Sequence, residues 1–132
     1  MLFRSMLEET RVGAGSKFDN LVHLGHNAVV GRRCLLVAQV GISGSTRLGD
    51  DVVLGGQTGV AGHLEIADRV QVGSKSAVFK SVAEGERLAG IPATKMGAWR
   101  RQQALTARLP DLNRRLRRLE GRLEALEKEA DR

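Results

Sequence analysis

The chain of 132 residues has no tyrosine, one tryptophan and three phenylalanines. A compact core of this size normally draws on more aromatic bulk. It has one cysteine, which excludes a disulfide within the chain and leaves no zinc-ligand pattern. A reducing cytoplasm is the simplest location for it. No apolar run approaches the roughly 18 residues needed to span a membrane, and no signal-peptide pattern stands out. The length suits one domain and not two ordinary ones. Two quantities are high. Glycine occurs 16 times, above the usual ~7%. Lysine and arginine number 21 against 15 acids, for a net charge of +6. Much glycine with few aromatics points to a repeat whose interior is narrow and aliphatic.

Such a repeat is present. From Val12, every sixth residue is large and apolar: Val12, Phe18, Leu24, Val30, Leu36, Ile42, Leu48, Leu54, Val60, Ile66, Val72 and Val78. Twelve such hits by chance are on the order of one in a million. The residue after the anchor is often Gly, and the fourth after it is small or β-branched, as in Ala28, Cys34, Val40 and Thr46. This pattern is neither helical nor a simple alternation. It reads as a short strand and a tight turn every six residues, three strands closing a triangular coil of 18. Residues 12–83 then make about four coils after a lead-in at 1–11. Coils should stack about 4.8 Å apart through parallel hydrogen bonds. Glycines near the turns are expected to supply positive φ and close backbone approach.

The hexads end near Val82, and Gly90-Ile91-Pro92 marks a turn. Residues 84–94 are expected to be a connecting loop. Residues 95–108 and 110–130 read as two basic helices, with Pro110 suited to the first turn of the second. Leu105, Leu109, Leu112, Leu116, Leu119, Leu123 and Leu126 are spaced alternately four and three apart. From Leu112 they form an a/d stripe, which packs on itself around a threefold axis or against helix 95–108. Between Arg100 and Arg118 stand seven Arg and one acid, Asp111. This charge is either a solvated face or a dock for an acidic protein. No aromatic or groove-reading motif supports a nucleic-acid partner.

An 18-residue coil turns the sequence into columns. His26 stacks over Gly44, Gly62 and Lys80; the neighbouring column is Asn27, Ser45, His63 and Ser81. His26 and His63 therefore share one corner, about 10 Å apart along the axis. The other corners read Ala14, Arg32, Asp50, Asp68, which looks solvated, and Asn20, Ala38, Gly56, Ser74, which is small. The glycines between the two His leave an open groove with accessible N–H groups, as an acyl chain and an oxyanion need. His23 should point outward from a flat face, where it either lines a cleft between subunits or is inert. Cys34 occupies an inward position and reads as packing.

Three segments carry a resemblance. Phe18-Asp19-Asn20-Leu21-Val22-His23-Leu24-Gly25-His26-Asn27 is similar to the active-site segment of the UDP-3-O-acylglucosamine N-acyltransferases of lipid A biosynthesis. Gly55-Gly56-Gln57-Thr58-Gly59-Val60-Ala61-Gly62-His63 resembles the family's second signature. Gly90-Ile91-Pro92-Ala93, Trp99-Arg100-Arg101 and the Leu/Arg-rich segment resemble its C-terminus. The O-acyltransferase of the same pathway resembles this tail less. The likeness implies an all-β, left-handed parallel β-helix with a helical tail, assembled as a homotrimer. It implies transfer of a hydroxyacyl chain from acyl carrier protein to the 2-amino group of a UDP-3-O-acylglucosamine. His26 would be the general base and the Gly44 N–H the oxyanion donor. Asp19, His23 and Asn27 would hold the sugar, and His63 and Gly62 the substrate or pantetheine arm. Arg100, Arg101, Arg114, Arg115 and Arg118 would meet the acidic carrier. No metal or permanently bound cofactor is implied, only acyl-phosphopantetheine on the carrier.

The family's proteins are longer and begin with a uridine-binding domain and further coils, which this sequence lacks. A fragment or a shortened homologue is therefore expected. The alternatives to the N-acyltransferase are a non-catalytic trimeric coil that binds acyl carrier protein or another partner, and a hexapeptide acyltransferase with a different sugar or donor.

Overall fold

A computed structural model describes residues 9–132; the first eight residues of the expected lead-in lie outside the described residues. Twelve two-residue strands follow one another at six-residue steps. They are β1 (Arg11–Val12), β2 (Lys17–Phe18), β3 (His23–Leu24), β4 (Val29–Val30), β5 (Leu35–Leu36), β6 (Gly41–Ile42), β7 (Arg47–Leu48), β8 (Val53–Leu54), β9 (Gly59–Val60), β10 (Glu65–Ile66), β11 (Gln71–Val72) and β12 (Ala77–Val78). Every third strand pairs in parallel, with residues 18 apart in register. The result is a three-sided coil. Its first face is β1-β4-β7-β10, its second contains β2-β5-β8-β11, and its third is β3-β6-β9-β12.

The second residue of each strand points inward. From Val30 to Val78 all nine of these anchors are buried. The small column beside them includes Ala28, Cys34, Val40, Val52, Val70 and Val82, also buried. Thr46, Thr58 and Ser76 are the buried polar members of that column. Their hydroxyls donate to the carbonyls of Ala61, Gly73 and Gly73, so no hydroxyl is left unpaired there. At the first coil the anchors Val12 and Phe18 are 50% and 37% exposed.

The turns are built differently from the expectation. Positive φ falls on the third residue after each anchor from Val12 to Val72, and from Leu21 to Lys75 none of these is glycine. Asn27, Ser45 and His63 have φ of 57°, 57° and 59°. The backbone N–H of such a residue donates to the coil above, as Ser45 does to the His26 carbonyl and His63 to the Gly44 carbonyl. Stacking therefore holds non-glycine residues in a left-handed conformation they would otherwise avoid. The glycines one step after the anchors serve close approach instead. A Cβ on Gly25 would lie 2.5 Å from the Gly44 nitrogen, and one on Gly31 would lie 2.7 Å from Asp50 Oδ1.

The coil continues beyond residue 83. Val82 bridges in parallel to Ile66. Residues 84–94, expected as a loop, contain β13 (Arg87–Ala89), which pairs under β11 with Leu88 opposite Val72. Then β14 (Thr94–Lys95) runs antiparallel to β13. The step from Val72 to Leu88 is two residues short of a full coil, so the six-residue ladder misses it.

The tail is one helix, α1 (Met96–Ala130), with Pro110 inside it. The expected break between two helices is absent. An interior proline removes one intrahelical hydrogen bond and crowds the preceding turn. The Leu, Arg, Ala, Gln and Glu around it are strong helix formers and carry the helix through. With no separate helix 95–108, the second packing option for the leucine stripe disappears. No residue of α1 is buried. The chain forms two compact units, Met1–Trp99 and Arg100–Arg132.

Candidate active site

The corner between β3 and β4 and its repeats below carry His26, Gly44, Gly62 and Lys80 in one column. Asn27, Ser45, His63 and Ser81 form the next. The His26 ring lies down over Gly44: a Cβ on Gly44 would sit 2.5 Å from the ring's Cε1, with Nε2 on the same side. Only glycine leaves that space. His26 Nδ1 is 3.2 Å from the Asn27 carboxamide nitrogen. A carboxamide presents a donor or an acceptor according to which way it lies. As placed, the amide nitrogen donates to Nδ1; in the flipped orientation, with the amide oxygen toward Nδ1, the ring proton would sit there and leave Nε2, the nitrogen above Gly44, with a free lone pair. His26 and His63 are exposed.

The N–H two residues after each anchor faces out of the corner, and a neighbouring corner shows what it binds. The Arg32 N–H donates to Asp50 Oδ1 at 2.8 Å, and the Asp50 N–H to Asp68 Oδ1 at 2.8 Å. Each N–H takes a carboxylate oxygen from the coil below. At the His26 corner the residues in those places are Gly44 and Gly62, which have no side chain to offer. Among the described residues the Gly44 N–H has no acceptor, and Gly25 beside it is bare. The corner thus presents an N–H built to take an anionic oxygen, next to an imidazole.

Electrostatics at the carboxylate corner follow from these contacts. The Arg32 backbone N–H, helped by the Arg32 guanidinium, holds Asp50 below the usual carboxylate range. The hydrogen bond from Arg33 does the same for Asp51, and Arg33 is raised in turn. The pair is bidentate, with both bonds 2.8 Å long. Burial pushes the Cys34 thiol up, opposing thiolate formation. The Sγ lies 3.1 Å from the Gly49 carbonyl, to which it donates.

The other residues singled out in the sequence are distributed around this corner. His23 is exposed on β3, in register with Gly41, and that column continues through Gly59 to Ala77. A Cβ on Gly41 or Gly59 would meet nothing within 4 Å, so His23 looks along a bare face. Asp19 is not brought to His26. It follows β2 at the opposite edge of that face, where Oδ1 accepts the Asn20 N–H at 2.7 Å. Arg100, Arg101, Arg114, Arg115 and Arg118 are exposed on α1, and Arg114 reaches Asp111 at 3.3 Å. The contact of Asn27 with the His26 ring went unrecognised in the sequence, although adjacency and the tolerance of Asn for left-handed turns were legible there. No group of three or more metal-ligating side chains occurs among the described residues. None of the described helices is long and apolar enough to cross a membrane.

No protein-family model matches the chain. It is 50% identical over 129 residues to a UDP-3-O-acylglucosamine N-acyltransferase of Oleidesulfovibrio alaskensis, covering 98% of this chain and 38% of that protein. To the protein of that name from Nitratidesulfovibrio vulgaris it is 52% identical over 125 residues, 95% of this chain and 36% of the relative. Among solved structures, UDP-N-acetylglucosamine O-acyltransferase from Moraxella catarrhalis RH4 matches with a TM-score of 0.64 and 34% identity. That match covers 70% of this chain and 38% of that one. Soybean serine acetyltransferase matches at 0.61 and 24%, over 67% of this chain and 40% of that one, a likeness of fold alone. The chain spans little more than a third of the length of the curated relatives it matches. It is a left-handed parallel β-helix that is similar, over nearly its whole length, to part of proteins named UDP-3-O-acylglucosamine N-acyltransferases.

Proposed function

We propose that this chain carries the catalytic corner of an N-acyltransferase acting on a UDP-3-O-acylglucosamine. The amine of the sugar attacks the thioester carbonyl of a hydroxyacyl chain held on the phosphopantetheine of acyl carrier protein. A C–N bond forms and the C–S bond breaks. His26 Nε2 takes the proton from the amine and returns it to the departing thiolate. Imidazole is the side chain best suited to both transfers near neutral pH. The Gly44 N–H donates to the carbonyl oxygen as it gains negative charge. The observation that carries this reading is the His26 ring lying over Gly44, whose own N–H is left without a protein acceptor.

The same reading gives the remaining residues their parts. Asn27 orients the His26 ring as well as reaching the sugar, and His23 and Asp19 contact the sugar along the bare face. His63 and Gly62 line the path of the pantetheine arm. The exposed Arg100, Arg101, Arg114, Arg115 and Arg118 attract the acidic carrier. His26 and His63 stand on an outward corner, and a convex corner cannot enclose a substrate. A neighbouring copy must supply the facing wall, which a homotrimer does with three equivalent clefts. A cytoplasmic location fits a buried, reduced thiol and a carrier-bound donor.

The test is transfer of a hydroxyacyl group from acyl carrier protein to the UDP-sugar amine, with the wild-type chain and His26→Ala. The expected loss is about 10²–10⁴-fold. No turnover by the wild-type chain leaves a non-catalytic coil that binds the carrier or another partner. Turnover indifferent to His26→Ala removes the proton-transfer role.

A further inference from the structure

From Arg100 onward every residue of α1 is exposed, whereas Met96, Ala98 and Trp99 in its first turn are half-buried. That turn is where the helix is held to the coil. Trp99 is the one tryptophan of the chain, and its indole lies on the backbone of Gly90. A Cβ on Gly90 would sit 2.7 Å from Trp99 Cδ1 and 3.1 Å from Nε1. Gly90 also has a φ of 99°, so two separate constraints disfavour a side chain there. Beside it Met96 packs toward Gly73, where an added Cβ would lie 3.7 Å from its Cε. Lys95, one residue before the helix, pairs with Glu86 at 3.1 Å.

The strap under the indole is fixed to the last coil. The Gly90 N–H donates to Ser76 Oγ at 3.1 Å, and the Gly90 carbonyl accepts the Ala77 N–H at 3.1 Å. The Ala93 N–H donates to the Ala77 carbonyl at 2.8 Å. Ala77 is the foot of the bare column that begins at His23 and passes through Gly41 and Gly59. The segment that ends the bare face is thus the segment on which the indole rests. Trp99 takes no part in the hydrophobic core, which ends in Val78, Val82 and Leu88. Arg100 and Arg101, assigned above to the carrier, follow it directly along the helix.

We infer that Trp99 is a positioning residue for the carrier-borne donor. By seating the first turn of α1 on the Gly90 strap it steadies the arginines that hold the carrier, so that the phosphopantetheine arm is delivered into the cleft. This role rests on the carrier-dependent reading proposed above. Its physical basis is effective concentration. An arm tethered to a carrier on a fixed platform meets the cleft at high local concentration, a gain of about 10²–10⁴-fold where both sites engage together. A platform free to swing spreads the same arm over a larger volume. Loss of the indole leaves the attracting charges in place and removes the arm's share of the binding.

The readout is the ratio of affinities of the full-length chain for carrier protein with its phosphopantetheine (holo) and without it (apo). Isothermal titration measures this without turnover. The wild-type chain should bind the holo form about tenfold more tightly, part of the gain that linkage supplies. Trp99→Ala should abolish that preference and leave the apo affinity unchanged, while Trp99→Phe, which keeps a flat ring, should retain most of it. Gly90→Ala keeps the indole but displaces it, and should act like Trp99→Ala while shifting the emission of the single tryptophan to the red; circular dichroism checks that the coil stays folded. In acyl transfer, Trp99→Ala should raise KM for the acylated carrier and leave turnover of free acyl-phosphopantetheine unchanged. A holo preference that survives Trp99→Ala overturns the positioning role. So does an equal loss with the free arm, or a fall in apo affinity as large as the fall in holo affinity, since either marks a general structural support. A wild-type chain with no holo preference overturns it as well. A wild-type chain that prefers the holo form yet turns nothing over sinks the enzyme reading and leaves the role of Trp99 standing.

Discussion

Gly44→Ala isolates the His26 geometry from the fold. The φ of Gly44 lies outside the left-handed region, so alanine is tolerated by the backbone there. Its Cβ would arrive 2.5 Å from His26 Cε1, whereas ordinary contact begins at 3.4 Å. The ring must retreat by about 0.9 Å or rotate off the corner, and it is free to do so because His26 is exposed. A displacement of about 1 Å at the reacting centre costs on the order of 10²-fold in rate. Stability should not fall, because the ring moves into solvent and alanine trims unfolded-chain entropy, a gain of about 0.4–1 kcal/mol. The expected result is a variant that melts no lower than wild type and turns over about a hundredfold more slowly. Single-turnover acyl transfer measures the rate, and ¹H–¹³C spectra of the His26 ring report its movement. Gly121→Ala serves as a control, since a Cβ there meets nothing and the helix gains about 1 kcal/mol. Wild-type turnover with unshifted His26 resonances in Gly44→Ala would refute the account of why this position is glycine.

Gly62→Asp should place a carboxylate on the Gly44 N–H, as Asp68 does on the Asp50 N–H at 2.8 Å; activity should collapse while the coil stays folded, checked by turnover and circular dichroism. Cys34, buried and with its thiol raised by burial, should resist thiol reagents at pH 7 in the native chain and react once urea unfolds it; immediate full labelling of native protein contradicts its inward placement. Asp50 and Asp51 titrate below their unfolded value near 3.9, so they stabilise the fold above about pH 4 and lose that contribution as pH falls through their folded values. Asp51→Asn should therefore flatten the acid limb of the melting-temperature profile, leaving its neutral limb parallel to wild type.

The coil was legible because each inward residue recurs at a fixed interval, and burial enforces that interval in every turn from Val30 to Val78. The corner was legible for the same reason: once residues 18 apart stack, His26 must lie over Gly44. The left-handed turns were not. Which residue of a tight turn takes positive φ depends on a hydrogen bond to the coil above, as from Ser45 to His26, and composition pointed to the glycines instead. The last strand was hidden by a two-residue contraction between Val72 and Leu88. Pro110 misled because proline propensity is local, whereas a helix rich in Leu and Arg tolerates one lost hydrogen bond. Asp19 matched a motif yet lies across a face from His26, because a motif orders residues along the chain and not around the coil.

The shortened final turn makes the solenoid directional as a piece of engineering. Because β13 is drawn in early and β14 crosses it antiparallel, the lower end is closed to further parallel stacking. The first coil keeps the 18-residue register of the coils beneath it. Whole 18-residue modules can therefore be grafted above the first coil without disturbing the register of the His26 corner. A graft of any other length would rotate every side chain above the junction onto a different face.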